Sequence, residues 1–330
     1  MKIAFYSAKQ YDRDFFDMAN RSKSHELTYF SFSLEEKTVG LAEGYDAICV
    51  FVNDIVNDVC LEKMASFGIK VIALRCAGFN NVDLEAAEKF GIKVVRVPAY
   101  SPHSVAEHTL ALVLSLNRKI HRAYNRVREG NFSIEGLMGY DLNGLTAGVI
   151  GTGKIGECVS QIFKGFGCKV IAFDPTENEN CLKIGVKYVG LDQLLSEADI
   201  ITLHCPLTAE SHHLINKETI KKIKDDAMLI NTSRGGLIDT VAITKALKKG
   251  KIGSLGIDVY EEEGDLFFKD MSGQVIQDDV FARLTTFPNV IITGHQAFFT
   301  QNALRNISDI TLSNISEIES KGASENEVFQ

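Results

Sequence analysis

Three features are missing from this 330-residue sequence, and each absence excludes a class of protein. No apolar run approaches the roughly 20 residues that a membrane-spanning helix needs, and the opening residues MKIAFYS are typical of a strand rather than of a signal peptide. No low-complexity block interrupts a composition of 45% apolar and 24% charged residues, which argues against disorder. We therefore expect a globular protein of the cytoplasm with no membrane partner.

The sequence also lacks a concentrated basic face. Its formal net charge is -8, and the basic cluster at Lys221, Lys222 and Lys224 is short and has acidic neighbours. Such a cluster is typical of a solvated helix face, so we expect no nucleic-acid partner.

The seven cysteines show no CxxC pair and no Cys/His spacing of the kind that holds a metal. An odd number without these spacings argues against a disulfide framework and against structural zinc. We expect most of them to be small buried apolar residues.

Short β-rich runs alternate with helix-like stretches along most of the chain. Five runs occur in the first hundred residues: KIAFYS, LTYFSF, AICVF, KVIALR and KVVRV. Six more follow Leu145: TAGVIG, CKVIAFD, DIITLHC, AMLINTS, SLGIDVY and NVIITG. This alternation predicts an α/β fold with two doubly wound parallel sheets, and a chain above roughly 250–300 residues usually forms more than one domain.

Two segments fix the predicted domain boundaries. Residues from about Ser104 to Glu129 contain no internal Pro or Gly and predict one long helix. The tail after Thr300 predicts a helix through Ile318 that ends near Gly322, too small to stand alone, so we expect it to pack on the first domain. One domain then comprises 1–100 plus 297–330, and the other comprises 101–296.

A glycine motif, G-T-G-K-I-G, marks a candidate cofactor site. Gly151, Gly153 and Gly156 directly follow the strand-like AGVI and precede a helix-like stretch. Glycines here allow a tight turn and close approach of the backbone to a pyrophosphate at the helix N-terminus. An ordinary glycine-rich turn is the alternative, because the motif alone is a weak signal.

Asp174 favours the dinucleotide interpretation. It ends the next strand-like run, at about the spacing expected of the acid that binds the adenosine ribose. Its carboxylate would repel a 2′-phosphate, and Pro175 rather than Arg follows it. The sequence therefore predicts binding of NAD rather than NADP.

Three polar residues follow the last three strand-like runs of the second series: Arg234, Glu263 and His295. Because the carboxyl ends of parallel strands face the ligand crevice, they are candidates for one catalytic site. Arg234 suits a carboxylate and a developing oxyanion, and His295 suits proton transfer. We expect Glu263 to favour the charged imidazole and so raise its pKa. The chemistry requires no metal.

Each of these residues also has an ordinary structural interpretation. Arg234 could cap backbone carbonyls, Glu263 could lie in a solvated acidic turn, and a single histidine is more often structural than catalytic. Their shared position after successive strands of one sheet favours catalysis. His204 is interpreted as a packing residue, and His103, His108 and His121 show no evident partners.

Four motifs resemble the D-isomer-specific 2-hydroxyacid dehydrogenases: G-T-G-K-I-G with Asp174, N-T-S-R-G at 231–235, D-V-Y-E-E-E at 258–263 and T-G-H-Q-A at 293–297. The similarity covers nearly the whole chain. Within that family, L-R-C-A-G-F-N-N-V-D at 74–83, V-P-A-Y-S-P at 97–102 and D-L-F-F at 265–268 resemble the bacterial fermentative D-lactate dehydrogenases.

The resemblance implies a flavodoxin-like substrate domain and a Rossmann NAD-binding domain with a cleft between them. It assigns Arg234 to substrate, Glu263 to assistance of the acid and His295 to proton donation. It also implies that Arg234 and His295 contact the cofactor, together with a further set of residues: Lys154, Ile155, Cys205, Pro206, Ser211, Thr232, Ser233 and Asp258. The implied substrate contacts are the backbone of Ala77 and Gly78, then Tyr100 and Phe298.

The resemblance implies that the protein reduces pyruvate to D-lactate with NADH. It also implies a homodimer or a homotetramer. An aromatic wall at Phe298 suits a methyl group, although one methylene changes selectivity by only about 1–3 kcal/mol. Dehydrogenases for hydroxypyruvate (D-glycerate) or larger keto acids are the nearest alternatives. An NAD-sensing interaction protein, like the C-terminal binding protein corepressors, is the alternative from another class.

Overall fold

The computed structural model describes residues 1–329, apart from the side chain of Asp265, the first residue of the D-L-F-F motif. The chain forms two compact units. Unit 1 consists of Met1–Ser101 and the segment from Phe299 onward, and unit 2 consists of Pro102–Phe298. The predicted boundaries lie near residues 100 and 296, so Phe298 falls in unit 2 rather than in the first domain. In the described part of the chain no helix is long and apolar enough to cross a membrane.

Unit 1 is built on a five-stranded sheet with the order β2-β1-β3-β4-β5, in which every strand pair is parallel. The strands are β1 (Lys2–Phe5), β2 (Glu26–Tyr29), β3 (Ala47–Val50), β4 (Val71–Leu74) and β5 (Lys93–Val95). The helices between them are α1 (Gln10–Asn20), α2 (Asp58–Ser66) and α3 (Leu84–Lys89). This is the flavodoxin-like strand order.

Unit 2 contains a seven-stranded parallel sheet with the order β12-β11-β10-β9-β6-β7-β8. Its strands are β6 (Thr146–Ile150), β7 (Lys169–Phe173), β8 (Lys187–Tyr188), β9 (Ile200–Leu203), β10 (Ala227–Asn231), β11 (Ile252–Ile257) and β12 (Val290–Ile292). Strand order reverses at β6, between β7 and β9, which is where Rossmann-type sheets bind ligands.

The helices of unit 2 are α4 (Pro102–Arg118), α5 (Ile120–Arg128), α6 (Lys154–Gly165), α7 (Glu179–Lys183), α8 (Leu191–Glu197), α9 (Lys217–Lys222), α10 (Thr240–Lys248) and α11 (Asp279–Thr285). Strands β9 and β10 are buried along their whole length. Parallel strands that are covered on both faces appear in the sequence as continuous apolar runs. This explains why the sequence pattern predicts β9 and β10 as strands.

The single long helix predicted over 104–129 is wrong. Lys119 adopts a left-handed conformation with φ of 50°, and this residue separates α4 from α5. Neither Pro nor Gly marks the break, so the sequence pattern could not locate it.

The chain ends in α12 (Gln301–Lys321), which belongs to unit 1. Thr300 caps its first turn by accepting from the Ala303 N–H, and Gly322 ends it in the left-handed conformation. The helix packs on α1 and β4, so the tail does pack on the first sheet, as predicted.

Candidate active site

The glycine motif forms the turn from β6 into α6. Gly151 has a φ of 90°, and a Cβ placed there would lie 2.5 Å from the Cys205 nitrogen. A Cβ at Gly156 would lie 1.9 Å from the Gly151 carbonyl oxygen, whereas one at Gly153 would meet nothing within 4 Å. The first and third glycines are therefore required by packing, and the second faces open space.

That open space suits a pyrophosphate. Gly153 is the N-cap of α6 and has no side chain that could cap the helix. Lys154 and Ile155 form the first turn. The N–H groups of a first turn have no partner within the helix and carry the positive end of its dipole. The turn therefore fits the diphosphate of a dinucleotide.

Asp174 follows β7 and lies beside the glycine turn. Its Oδ2 accepts from the Thr152 N–H at 2.7 Å, and its Oδ1 accepts from the Thr176 N–H at 2.9 Å. Tyr188 donates to Thr152 Oγ1 at 2.9 Å and so extends the same network. The carboxylate is thus held at the switch point of the sheet, where a ribose hydroxyl would need it.

Four of the remaining predicted cofactor residues lie at the edge after β9 and β10: Cys205, Pro206, Ser211 and Ser233. Ser233 Oγ donates to the Cys205 carbonyl at 2.8 Å, which ties the two strand ends together. Ser211 Oγ donates to the Pro206 carbonyl at 2.7 Å and therefore closes its own loop. Burial raises the pKa of the Cys205 thiol to about 11, so the thiol is uncharged at neutral pH.

Asp258 and Thr232 make contacts that the sequence pattern did not indicate. Thr232 Oγ1 lies 2.9 Å from Thr109 Oγ1. The fully buried Asp258 carboxylate accepts from Thr293 Oγ1 at 2.5 Å and from the backbone N–H groups of Gln296 and Ala297 at 2.9 and 2.7 Å. Burial opposes its ionisation, but these bonds and His108 outweigh burial and lower its pKa. Asp258 therefore holds the turn that carries His295.

The imidazole of His295 and the carboxylate of Glu263 form a direct pair. His295 Nδ1 lies 2.8 Å from Glu263 Oε1, and Glu263 Oε2 accepts from the Tyr260 N–H at 2.9 Å. His295 has a φ of 52°, a left-handed conformation that non-glycine residues adopt rarely and that clusters at functional sites. Its backbone N–H donates to the Asp258 carbonyl at 2.7 Å, which fixes this conformation.

Arg234 lies after β10, the strand adjacent to β11 in the sheet. Its Nη1 donates to the Ser233 carbonyl at 2.7 Å, and its own carbonyl accepts from Asn231 Nδ2 at 2.8 Å. A Cβ at the next residue, Gly235, would lie 2.1 Å from the Tyr260 carbonyl carbon, so the loop after β10 packs directly on the segment that leads to Glu263. Arg234 is half-buried at this edge.

The predicted substrate residues of unit 1 lie in two loops. Arg96 Nη1 donates to the Ala77 carbonyl at 2.8 Å, and the Cys76 thiol donates to the Gly78 carbonyl at 3.2 Å. Asn306 Nδ2 donates to the Tyr100 carbonyl at 2.6 Å. Phe298 is buried and belongs to unit 2.

Two residues near the catalytic pair were missed from the sequence. His108, interpreted as having no partner, lies 3.0 Å from Thr293 Oγ1 through Nε2, and the same atom is 3.4 Å from Asp258 Oδ1. The ring of Phe268 lies 5.7 Å from that of His295. Only the D-L-F-F motif pointed to Phe268, and no local pattern pointed to His108.

Comparisons with known proteins identify the family of this chain. Residues 110–297 match the family model described as D-isomer specific 2-hydroxyacid dehydrogenase, NAD binding domain. The chain is 56% identical over 329 residues to a 2-hydroxyacid dehydrogenase homolog of Haemophilus influenzae, covering 100% of this chain and 99% of that protein. It is 55% identical over 328 residues to the D-lactate dehydrogenase of Escherichia coli, covering 99% and 100%.

The apo structure of the Escherichia coli D-lactate dehydrogenase is similar to this fold with a TM-score of 0.91. The two share 52% identity in that comparison, which covers 99% of this chain and 100% of the other.

Proposed function

The chain belongs to the D-isomer-specific 2-hydroxyacid dehydrogenases, which makes it an NAD-dependent oxidoreductase, and we propose that it reduces pyruvate to D-lactate. The observation that carries the chemistry is the bond between His295 Nδ1 and Glu263 Oε1 at 2.8 Å. A histidine oriented by a carboxylate through one ring nitrogen can transfer a proton through the other. The full-length similarity to a D-lactate dehydrogenase supports the choice of substrate.

In the proposed reaction, NADH supplies the hydride that reduces the keto carbon. His295 delivers a proton from Nε2 to the forming alkoxide, because its Nδ1 is held by Glu263. Glu263 keeps the ring oriented and balances the charge of the imidazolium. The guanidinium of Arg234 binds the substrate carboxylate and stabilises the negative charge that develops on the keto oxygen.

The substrate contacts remain part of this proposal. We assign the backbone N–H groups of Ala77 and Gly78 to the substrate carboxylate. Hydrogen bonds to both of their carbonyls hold this loop in place. Tyr100 is assigned to the substrate as well, and Phe298 to the wall of the side-chain pocket. A methyl group fits an aromatic wall better than a branched or aryl side chain, which favours pyruvate over larger keto acids.

Exposed apolar residues of unit 2 support a homodimer. Helix α5 has no buried residue. Six large apolar side chains of this helix and the following segment are more than half exposed: Ile120, Tyr124, Val127, Phe132, Ile134 and Met138. A patch of this kind marks an interface, and a second copy of this chain is the proposed occupant. Tyr124→Glu should then shift the sedimentation coefficient to that of a smaller species.

We also propose a cytoplasmic location. None of the seven cysteines forms a disulfide in the described chain, as expected of a chain kept in a reducing compartment.

The proposed roles are tested by three variants. His295→Ala should lower kcat by about 10²–10⁴-fold with NADH affinity little changed, because general acid catalysis is lost. Arg234→Ala should mainly damage binding and reduction of the keto acid, and Glu263→Gln should lower kcat because the ring loses its charge partner. Unchanged turnover in the His295 and Arg234 variants would contradict the proposal.

A further inference from the structure

Three side chains able to bind a metal converge at a place that the catalytic proposal does not use. One potential ligand atom from each of His212, His213 and Glu261 lies within 4.8 Å of the others. His213 Nε2 is 2.5 Å from Glu261 Oε1, and the rings of His212 and His213 stack with centroids 3.9 Å apart. We propose that these three residues form a site for Zn²⁺.

The chemistry of the ligand set favours zinc. Two imidazoles and one carboxylate form one of the common Zn²⁺ sites, with a fourth position left to water. In such a site the metal replaces the proton shared by His213 Nε2 and Glu261 Oε1. The 2.5 Å contact must open to about 3.4 Å, because each ligand atom lies about 2.0–2.2 Å from zinc in a tetrahedral site. His212 is exposed, so its ring is free to turn toward the ion and the fourth position faces solvent.

Two of the ligands are held in place by their surroundings. The His213 backbone has a φ of 50°, its N–H donates to the Gly236 carbonyl at 2.8 Å, and its carbonyl accepts from Asn216 Nδ2 at 2.9 Å. Thr240 Oγ1 donates to Glu261 Oε2 at 3.0 Å, which leaves Oε1 for the ion. Such outer bonds orient metal ligands and raise affinity.

Zinc at this position would join two loops of unit 2 directly and a third through the hydrogen bond from the His213 N–H to the Gly236 carbonyl. His212 and His213 lie after β9, Gly236 lies after β10, and Glu261 lies after β11. Because the ion would bind the folded arrangement and not the separated loops, it should raise the thermal midpoint of unfolding. This effect does not depend on the reaction that the enzyme catalyses.

A simple hydrogen bond between His213 and Glu261 is the competing interpretation. In that case His212 is only stacked on its neighbour and contributes nothing to ion binding. His212 therefore separates the two interpretations, and its exposure means that His212→Gln should fold normally.

The test uses the full-length, tag-free, reduced protein stripped of metal and titrated calorimetrically with zinc chloride. Wild type should bind one Zn²⁺ per chain and gain thermal stability. His212→Gln and Glu261→Gln should each weaken binding by at least about tenfold and lose the stabilisation. His103→Gln, which removes an exposed imidazole elsewhere, should bind like wild type. Equal affinity in His212→Gln and wild type would overturn the proposal.

A second measurement tests whether thiols bind the ion, and it does not depend on the folding of Glu261→Gln. Co²⁺ can replace Zn²⁺ and reports its ligands through visible absorption. We expect a spectrum without the thiolate charge-transfer band, and we expect it to disappear in His212→Gln. A thiolate band that persists in this variant would assign the ion to partly exposed cysteines such as Cys158 and Cys205 and overturn the site.

Discussion

Three alanine substitutions in one helix should separate folding from cofactor binding. Gly153, Gly156 and Gly165 belong to α6 or its N-cap, yet an added methyl group meets different surroundings at each. At Gly156 it would lie 1.9 Å from the Gly151 oxygen, while nothing lies within 4 Å at Gly153 or Gly165. The three variants carry the same chemical change, so differences between them report position alone.

The expected magnitudes follow from these distances. Gly156→Ala forces the turn apart by more than 1 Å and should lower the free energy of unfolding by about 3 kcal/mol, the upper end for overpacking. Gly165→Ala should raise it by about 0.5 kcal/mol, because alanine loses less entropy in a helix. Gly153→Ala should leave stability nearly unchanged, but its methyl would stand where the pyrophosphate must approach. It should weaken NADH binding about tenfold, or about 1.4 kcal/mol.

Urea unfolding and NADH fluorescence titration measure both quantities for each variant. Gly165→Ala is the matched control, with wild-type affinity for NADH expected. If Gly153→Ala bound NADH as tightly as wild type, the pyrophosphate could not lie against this turn, and the assignment of the cradle would fail. A fully stable Gly156→Ala would show that the glycine contact is not required by packing.

Three further predictions concern two histidines and one acid of unit 2. His108→Leu removes the partner of Thr293 and Asp258, so kcat should fall about tenfold while the circular dichroism spectrum is retained; an unchanged kcat would exclude a positioning role. Asp258→Asn should lose about 2–3 kcal/mol of stability at pH 7. Because the pKa of Asp258 is lowered in the folded state, its contribution to stability is present above about pH 4 and is lost as pH falls through the folded pKa. The difference in urea midpoint between wild type and Asp258→Asn should therefore narrow at acidic pH. Burial lowers the pKa of His204 to about 3, and both ring nitrogens are buried without a hydrogen-bond partner in the described chain. The unfolded chain therefore binds an extra proton between about pH 3 and 6.5, and His204→Leu should lose less stability than wild type as pH falls through this window.

The sequence pattern found what is local and regular. The glycine turn, Asp174 and the ends of β10, β11 and β12 are marked by residues close together in the chain, so motif and strand position could be combined. A bond between Glu263 and His295 was considered because both residues follow successive strand-like runs, and the structure contains that bond.

What the pattern missed depends on distant partners or on backbone conformation. His108 meets Thr293 across 185 residues of sequence, and His213 meets Glu261 across 48. Strand β8 has two residues at the edge of its sheet, too few for a periodic signal. The left-handed Lys119 divides a helix that has good helix-forming residues on both sides.

The proposed activity is defined by which keto acid this enzyme reduces and which enantiomer it forms. We would follow NADH oxidation with pyruvate, hydroxypyruvate, oxaloacetate, 2-ketoisocaproate and phenylpyruvate, and identify the product with enantiomer-specific lactate assays. We expect pyruvate to have the highest kcat/KM and D-lactate to be the only lactate formed. A larger or more polar keto acid that wins by tenfold, about 1.4 kcal/mol in transition-state binding, would contradict the proposed substrate. Tight NADH binding without turnover of any of these acids would contradict the catalytic assignment and favour an NAD-sensing protein.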